Sequence, residues 1–488
     1  MRTKAHKYPD FTAEIEAIKG GGITDQLLNR IINKHLLNAE TSKELIARYE
    51  TLEDGVPIFL REPRFEADKE ERKELINHKI NNDHFSLIVD FKTGFFAGNP
   101  FAYSYSDTKE ALEDTGDAGD GEEERKRARD VASKVITDFV ARSNMHDVDM
   151  ECTKYASICG YAARLFYINP DGEECCMVVA PNEAIILSET RDITHPTYGV
   201  RYYTVTDIND REIVKAEFYD ENTIYYAEGS LNALHIVNQA PNLFGCCPLQ
   251  GIPNNREMLG DCEKVLALID AYDRALSDTN NEVDSFANAY MVYENVSMTD
   301  EEIHRAQVSG AIQFHSGGGG KVYFLTKNIN DSFLEHHLDR LEENIYRFSK
   351  TPNLSDEAFG SASGISLKFK LTGLETKCGM FEAKMRSAAN YMFYLLSKAW
   401  EKKQVKIDPL QCVVDCSKRN FPLDLLSEAQ SVQALIAAGL PKRVAYEIGL
   451  SCVDDVEYVM QQIEEEKDGI ASLLDELPED NVMEGDVE

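Results

Sequence analysis

The chain has 488 residues, 43% of them hydrophobic, and its 85 acidic and 51 basic residues give a formal net charge of −34. A chain of this length and apolar content is expected to fold into about two to four globular domains. The acidic excess repels DNA phosphates, which argues against a sequence-reading DNA-binding protein but not against a surface along which DNA slides.

The first 110 residues are predicted to be mainly helical. Asp68 and Glu71 form a capping pair before an apolar face, which predicts a helix from about residue 68 to residue 97. The aromatic run at 101–105 predicts a strand. Residues 111–130 are charged and almost free of large apolar side chains, so we predict a flexible acidic loop there and a helix from Val131.

From Tyr161 onward the sequence changes to short β-type segments. Strands are predicted at 162–169, 176–180, 200–207, 215–219 and 223–228, and the sequence Pro170-Asp171-Gly172 marks a hairpin turn between the first two. Together with the helices before them, these strands predict an antiparallel α+β module over residues 131–253.

Two helices with a heptad-like apolar seam are predicted on either side of a small insert. The first covers 254–287, where Asn254 and Glu257 form its capping signal, and the second covers 331–350. The seam of the second helix consists of Leu334, Leu338, Leu341, Ile345 and Phe348. The insert, residues 288–330, is predicted to be rich in strands.

The longest helix is predicted over residues 364–402, after a small and polar loop at 351–363. Its apolar residues, spaced alternately by four and three, are Leu367, Leu371, Leu374, Cys378, Phe381, Met385, Ala388, Met392, Leu395 and Ala399. Such a helix is roughly 55 Å long at 1.5 Å per residue, and Gly373 and Gly379 predict a bend in it. A strand within 403–420, short helices over 421–470 and an acidic tail at 471–488 are expected to follow.

The residues that could carry chemistry form no recognisable active site. Ser316-Gly-Gly-Gly-Gly-Lys321 lacks the first glycine and the final Ser or Thr of a phosphate-binding loop, because His315 and Val322 stand there. Cys412 and Cys416 are expected to share a buried strand face rather than to bind metal. No apolar run reaches 18 residues, so no membrane span is expected. We therefore predict no catalytic residue, metal or cofactor, and favour a protein that is not an enzyme.

Several blocks in fixed order resemble one known family. They are Asn77–Asp90 with Gly98-Asn99-Pro100, Ile252–Asn255 with Gly260–Val265 and Leu268–Asp273, Ser363–Lys368 with Leu374-Glu375, and the helices around Gly439, Gly449 and Val453-Asp454-Asp455. In this order the set resembles the portal proteins of tailed bacteriophages, specifically the SPP1-like portal family. The resemblance covers most of residues 70–468.

The resemblance implies an α+β, portal-type fold and gives names to the predicted segments. The wing corresponds to 1–110 and 131–253 with the strand at 403–420, and the stem to 254–287 and 331–350. The clip is the insert 288–330, the tunnel loop is 351–363, the spine is the long helix 364–402, and the crown is 421–470.

The resemblance also implies a function and a set of partners. The chain is expected to form a ring, usually of twelve subunits, at one capsid vertex, through which double-stranded DNA is packaged and ejected. Expected partners are further copies of the chain, the terminase large subunit, a head-completion adaptor, and the major capsid or scaffold protein. The protein is expected in the virion and, during assembly, in the host cytoplasm.

Site residues follow from this implied arrangement. Residues expected to contact DNA in the tunnel loop are Asp356, Glu357 and Phe359. Candidates for basic rings at the edges of the loop are Lys350, Lys368 and Lys370. Candidates for docking of terminase or adaptor on the clip are Arg305 and Lys321.

Two other interpretations of the sequence remain open. A different virion ring or adaptor protein would also form oligomers, but it would lack the order helix, insert, helix, loop, long helix. An acid-rich metal-dependent enzyme would bind divalent metal through clustered carboxylates, and no spacing in the sequence selects such a cluster.

Overall fold

A computed structural model describes residues 8–64, 76–106, 120–286, 290–294, 321–325, 331–353, 364–420 and 425–449, with a few residues near 300 and 460. The helices are α1 (Thr12–Gly21), α2 (Asp25–Tyr49), α3 (His84–Ala97), α4 (Asp120–Arg142), α5 (Met145–Cys159), α6 (Leu266–Phe286), α7 (Asp331–Ser349), α8 (Gly364–Lys402), α9 (Leu425–Ala437) and α10 (Lys442–Gly449). The strands are β1 (Ala102–Tyr105), β2 (Tyr161–Ile168), β3 (Glu174–Val179), β4 (Ala184–Leu187), β5 (Tyr198–Thr206), β6 (Glu212–Tyr219), β7 (Thr223–Ser230), β8 (Ala233–Pro241), β9 (Leu249–Pro253), β10 (Tyr290–Glu294), β11 (Lys321–Leu325) and β12 (Cys412–Asp415).

The chain divides into two compact units. The first contains Met1–Ser355 and Leu371–Asn420, and the second contains Asp356–Lys370 and Phe421–Glu488. In the second unit, α9 and α10 pack together and bury Val432 and Ala445. Gly439 ends α9 with a φ of 94°, a left-handed conformation that glycine adopts without steric cost.

The larger sheet of the first unit has the strand order β4-β5-β6-β7-β8, and all its neighbouring strands are antiparallel. Alternate side chains of β6, such as Ala216 and Phe218, point to one face and are buried there against α1 and α2. Ile15 and Ile31 are among the helical residues in that core. The predicted strands of this module are confirmed, whereas β4, β8 and β9 were not predicted.

A three-stranded antiparallel sheet of order β3-β2-β9 connects this module to the long helix. The side-chain amide of Gln250 in β9 donates to the carbonyl of Ala388 in α8 at 2.8 Å. The Tyr391 hydroxyl of α8 donates to the carbonyl of Cys247 at 2.9 Å. With two antiparallel sheets packed against helices, the predicted α+β class is confirmed.

The helix α8 is continuous from Gly364 to Lys402 and includes Gly373 and Gly379. Every predicted seam residue from Leu371 to Ala399 is buried. The second half is buried on more than one side, because Tyr391, Phe393 and Trp400 are also covered. The helix therefore begins as an amphipathic element and ends as a core helix.

Two predicted helices begin later than expected. The helix expected from residue 68 begins at His84, and the helix expected from residue 254 begins at Leu266. Asp83 lies in the left-handed region with a φ of 52°, which interrupts helical geometry just before α3. The Asn254 and Asn255 side-chain amides both donate to the carbonyl of Leu259, so they close a turn instead of capping a helix.

The residues before α3 lie as an extended segment along α6. The backbone N–H groups of His78, Ile80 and Asn82 donate to the side chains of Asn281, Ser277 and Asp273 at 2.7, 3.0 and 3.0 Å. Two residues of extended chain advance about 6.6 Å, and four residues of helix advance about 6.0 Å, so the two spacings match. The helix thus binds an extended segment that has no strand partner.

The predicted acidic loop at 111–130 is wrong for residues 120–130, which form the first turns of α4. Residues 126–131 are exposed, so this part of the helix needs no apolar face. Glutamates at 122 and 123 precede Lys126 and Arg127 by four residues, a spacing that favours a helix in water.

Two short antiparallel pairs complete the described structure. The strand expected within 403–420 is β12, and it pairs with β1 in a two-stranded sheet of its own, Ala102 opposite Asp415. In the insert, β10 pairs with β11, Tyr290 opposite Leu325. The tail at 471–488 lies outside the described residues, as does most of the insert between β10 and β11.

We predict that Ser277→Ala lowers the free energy of unfolding by about 1 kcal/mol, because the N–H of Ile80 then loses its acceptor, the buried hydroxyl of Ser277. Denaturant unfolding followed by the fluorescence of the sole tryptophan, Trp400, measures this change. The control Thr279→Ala loses only a bond within its own helix and should change stability by less than about 0.5 kcal/mol. Equal effects of the two variants would contradict the role given to Ser277.

Candidate functional site

The described part of the predicted stem is the helix pair α6 and α7. Ile269 of α6 and Leu341 and Ile345 of α7 are buried. The prediction that Phe348 belongs to the seam is wrong, because its exposed fraction is 58% whereas Tyr346 is buried. A straight helix drifts by about 20° per heptad, so the inward side of the last turn passes to Tyr346 and Ser349.

His84 is the residue at which α3 meets both stem helices. Its ring packs edge to face with Tyr272 of α6 at 5.0 Å and Tyr346 of α7 at 5.8 Å, centroid to centroid. Neither ring nitrogen has a hydrogen-bond partner, and burial lowers the pKa of His84, although Glu342 and Asp83 oppose this. The neutral imidazole therefore acts as an apolar spacer. It holds the last turn of α7 beside the first turns of α6.

A buried ionic cluster connects the spine to the base of the stem. The Asp261 carboxylate lies 2.9 Å from the ammonium of Lys92 in α3 and 2.9 Å from that of Lys377 in α8. The Ser157 hydroxyl of α5 donates to the same carboxylate at 2.7 Å. Burial alone would raise the pKa of Asp261, but the two ammonium groups and the hydroxyl hold it below its usual range.

The same lysines extend the cluster to other elements. Lys377 donates to the carbonyl of Ser349 at 2.8 Å, which satisfies a backbone group at the C-terminal end of α7. Lys92 also donates to Asn254 and lies 4.7 Å from the ring centre of Phe381. The sequence reasoning missed this cluster. Its one visible signal was a lysine, Lys92, inside the apolar run of α3, since a buried lysine requires a partner.

Ion pairs also hold α6 from the side of α2 and the loop after it. Arg48 pairs with Asp270, and Arg61 pairs with Asp278 at 2.5 Å. His78 approaches Asp284 further along the helix. In these contacts, acidic side chains of α6 pair with basic residues of the same chain.

The predicted site residues have different outcomes. Lys350 is exposed directly after α7, in a left-handed conformation with a φ of 59°, and belongs to the first unit. Lys370 is exposed in the second unit, and Arg305 and Lys321 are exposed in the insert. The tunnel-loop residues Asp356, Glu357 and Phe359, and the side chain of Lys368, lie outside the described part of the chain.

The described residues contain no cluster of three or more side chains that could hold a metal ion. Burial raises the pKa of Cys412 to about 12 and that of Cys416 to about 11, so both thiols stay protonated at neutral pH. Within the same described ranges, no helix is long and apolar enough to cross a bilayer. What the described geometry offers is a rigid support for a helix pair.

We predict that Asp261→Asn lowers the free energy of unfolding by about 3–5 kcal/mol, because two buried ammonium groups lose their carboxylate. Trp400 fluorescence during denaturant unfolding measures the loss. The control Glu343→Gln removes the acid of an exposed ion pair and should cost less than about 1 kcal/mol.

The difference in unfolding free energy between the wild-type chain and Asp261→Asn should change with pH in one direction. A carboxyl whose folded pKa is depressed stabilises the fold above its unfolded pKa, and this contribution disappears as the pH falls toward the folded pKa. The gap between the wild-type chain and Asp261→Asn should therefore narrow below about pH 4. A gap that is constant from pH 7 to pH 3 would contradict the ionic role of Asp261.

Comparisons with known proteins agree on one family. The family described as "Phage portal protein, SPP1 Gp6-like" matches residues 28–473. The portal protein of Bacillus phage SPP1 is 23% identical over 342 residues, which cover 66% of this chain and 62% of that relative. The portal protein of Clostridium phage phiCD119 is 23% identical over 336 residues, which cover 64% of this chain and 69% of that relative. Because the family match spans most of its length, the chain belongs to the SPP1 Gp6-like family of phage portal proteins.

Proposed function

We propose that this chain forms a ring-shaped conduit at one capsid vertex, through which double-stranded DNA is packaged and ejected. Phage portal proteins are structural components of the virion. The observation that supports the proposal is the chain order α6, β insert, α7, α8, because it is the order in which the family resemblance assigns a stem helix, the clip, the second stem helix and the spine. Twelve subunits is the number that the family resemblance suggests.

Charge supports a passive conduit. In a closed ring, one side chain is repeated in every subunit, so each acidic residue on the inner wall becomes a ring of negative charge. With a net charge of −34 per chain, such a wall repels phosphate and keeps DNA from adhering. Lys350, Lys368 and Lys370 are proposed as the basic rings that contact the backbone of DNA briefly and without reading its sequence.

The partners follow from the position of each segment. We assign the insert, with exposed Arg305 and Lys321, to the docking of the terminase large subunit during packaging and of the head-completion adaptor afterwards. The energy for translocation then comes from the terminase, since this chain is proposed to have no catalytic site. The major capsid or scaffold protein is proposed to contact the outside of the ring.

Two alternatives are separated from this proposal by simple observations. A different virion ring or adaptor would lack the helix, insert, helix, long helix order. A metal-dependent enzyme would require clustered carboxylates, and the described residues contain no such metal-binding group. Tight binding of a divalent metal that is lost on replacing two acidic residues would favour the enzyme.

The first experiment is size-exclusion chromatography with light scattering on the purified full-length chain, followed by negative-stain microscopy. We expect closed rings of about twelve subunits with a central channel. The same measurement with the cognate scaffold protein provides the comparison for a chain that assembles only during capsid formation. A monomer under both conditions would contradict the conduit.

We predict that replacing Asp356 and Glu357 together by lysine slows DNA packaging severalfold while the ring still assembles, because new basic rings would hold phosphate. DNA packaged per procapsid over time measures the effect, and the defect should weaken as salt rises. The control Glu212→Lys with Glu228→Lys changes the net charge equally on exposed positions of β6 and β7. Unchanged packaging would show that the loop does not contact DNA.

A further inference from the structure

One side of α7 differs in charge from the rest of the molecule. At 100° per residue, one arc of about 100° contains the aromatic-basic stripe, which is Phe333, His337, Arg340, Asn344, Arg347 and Phe348. All the acidic residues of the helix, Asp331, Glu335, Asp339, Glu342 and Glu343, lie outside this arc. A carboxylate-free stripe with two arginines is unusual in a chain with a net charge of −34.

The stripe suits a protein surface better than DNA. Phe333 and Phe348 stand near its two ends with exposed fractions of 64% and 58%, and exposed phenylalanines gain most by packing against apolar groups. Arg340 and Arg347 both pair with Glu343, so their charge toward a phosphate is partly neutralised. The stripe therefore combines apolar knobs with oriented donors, which is typical of interface cores.

A cavity of about 690 Å³ lies at the opposite stem helix, where α2, the loop 54–60 and the start of α6 meet. Its apolar lining includes Leu45, Pro57, Leu60, Leu266 and Ala267. Leu60 is 60% exposed at its rim, and Ala267 is exposed on the first turn of α6. This volume accepts a phenyl ring with room to spare.

The side chains around the cavity, and those further along α6 from it, are small or acidic. The cavity is lined by the carboxylates of Glu44, Asp54, Glu263 and Asp270 against the basic groups of Arg48 and Lys264. Further along, the same side of α6 carries Ala271, Asp278 and Glu282. Small side chains allow a helix to approach closely. Asp270 and Asp278 pair with Arg48 and Arg61 of their own chain, so the match is one of net charge. Carboxylates outnumber basic groups around the cavity, whereas the two arginines of the stripe share the one carboxylate of Glu343.

The two surfaces also lie at the same level of the subunit. Tyr272 of α6 and Tyr346 of α7 pack against the one imidazole of His84. Phe348, two residues beyond Tyr346, therefore stands level with the first turns of α6, where the cavity opens. Phe333, at the other end of α7, stands level with the far end of α6.

We infer that α7 of one copy packs its aromatic-basic stripe on α6 of the next copy, with Phe348 seated in the cavity beside Leu60 and Ala267. The inference rests on the proposed ring and specifies its subunit contact. Two different surfaces that complement each other form a head-to-tail interface, which closes into a ring when the rotation permits. The ring is then held by a phenylalanine that contributes nothing to the core of its own subunit.

Phe348→Ser tests the knob, and Ala267→Trp tests the cavity by filling its mouth. Each should lower the yield of rings at least about tenfold at fixed protein concentration, as expected for an interface hot spot. The matched control Ile208→Ser removes a fully exposed apolar side chain at the β5–β6 hairpin and should leave the yield unchanged. Far-UV circular dichroism, which is not affected by the added tryptophan fluorescence, checks that each variant subunit stays folded, as expected because both positions are exposed.

Cross-linking tests the contact itself. In rings of the double variant Ala271→Cys with Asn344→Cys, which lie one turn from Ala267 and Phe348 and keep Phe348 in place, a short bismaleimide should produce a ladder of covalent oligomers on a denaturing gel. Each single variant provides the background from the native cysteines, nine of which are buried among the ten in the described residues. No ladder from assembled double-variant rings would overturn the inference.

The remaining outcomes separate this contact from the ring itself. Wild-type rings together with normal rings of Phe348→Ser and Ala267→Trp would overturn the contact and leave the conduit standing. Arg340→Glu with Arg347→Glu that assembles normally but slows DNA passage would place the stripe on the DNA instead, and would also overturn it. A wild-type chain that never forms rings would contradict both proposals.

Discussion

The structure depends most on the carboxylate of Asp261 and the two ammonium groups that enclose it. Lys92 and Lys377 bring α3 and α8 to this point, and the Ser157 hydroxyl adds α5. Lys377 also donates to the carbonyl of Ser349 in the last turn of α7. Both α6 and α7 are therefore anchored within one small region, α6 by the loop before it that contains Asp261 and α7 by its C-terminal end. Three charges that are each nearly buried permit few alternative arrangements, so this cluster orients the stem relative to the spine.

Around this cluster, hydrogen bonds fix the register of neighbouring segments more specifically than apolar packing would. The segment 76–83 lies against α6, where Asp273, Ser277 and Asn281 accept its backbone N–H groups. A shift of this segment by one residue would leave those buried side-chain acceptors without their backbone partners. The register of the segment is therefore determined more sharply than hydrophobic packing alone would determine it.

The sequence predicted the elements whose signal is periodic and local. The seam of α8 and the hairpin at Gly172 followed from spacing and turn chemistry, and both are present. The errors lie where a local signal is used for something else. Asn254 resembles a helix cap, but its side chain accepts a hydrogen bond from Lys92, which is distant in sequence. The charged run at 120–130 resembles a loop because a helix exposed to water needs no apolar face. The cluster at Asp261 joins residues from separate elements, and only the misplaced charge of Lys92 hinted at it.

The location of the basic residues gives the acidic composition a physical meaning. Many cations of the first unit are bonded inside the subunit: Arg48 and Arg61 to acids of α6, and Arg419 to Glu375 and Glu382 of α8. Each pair neutralises one acid and one base and leaves the net charge unchanged. Cations that are paired in this way are not available to replace the counterions of phosphate, so fewer basic groups remain to hold DNA. For a conduit this matters more than affinity, since DNA must leave as readily as it enters. The arginines of α7 are also paired inside the subunit, since both contact Glu343, and this is a further reason to interpret their stripe as a contact between protein subunits rather than with phosphate.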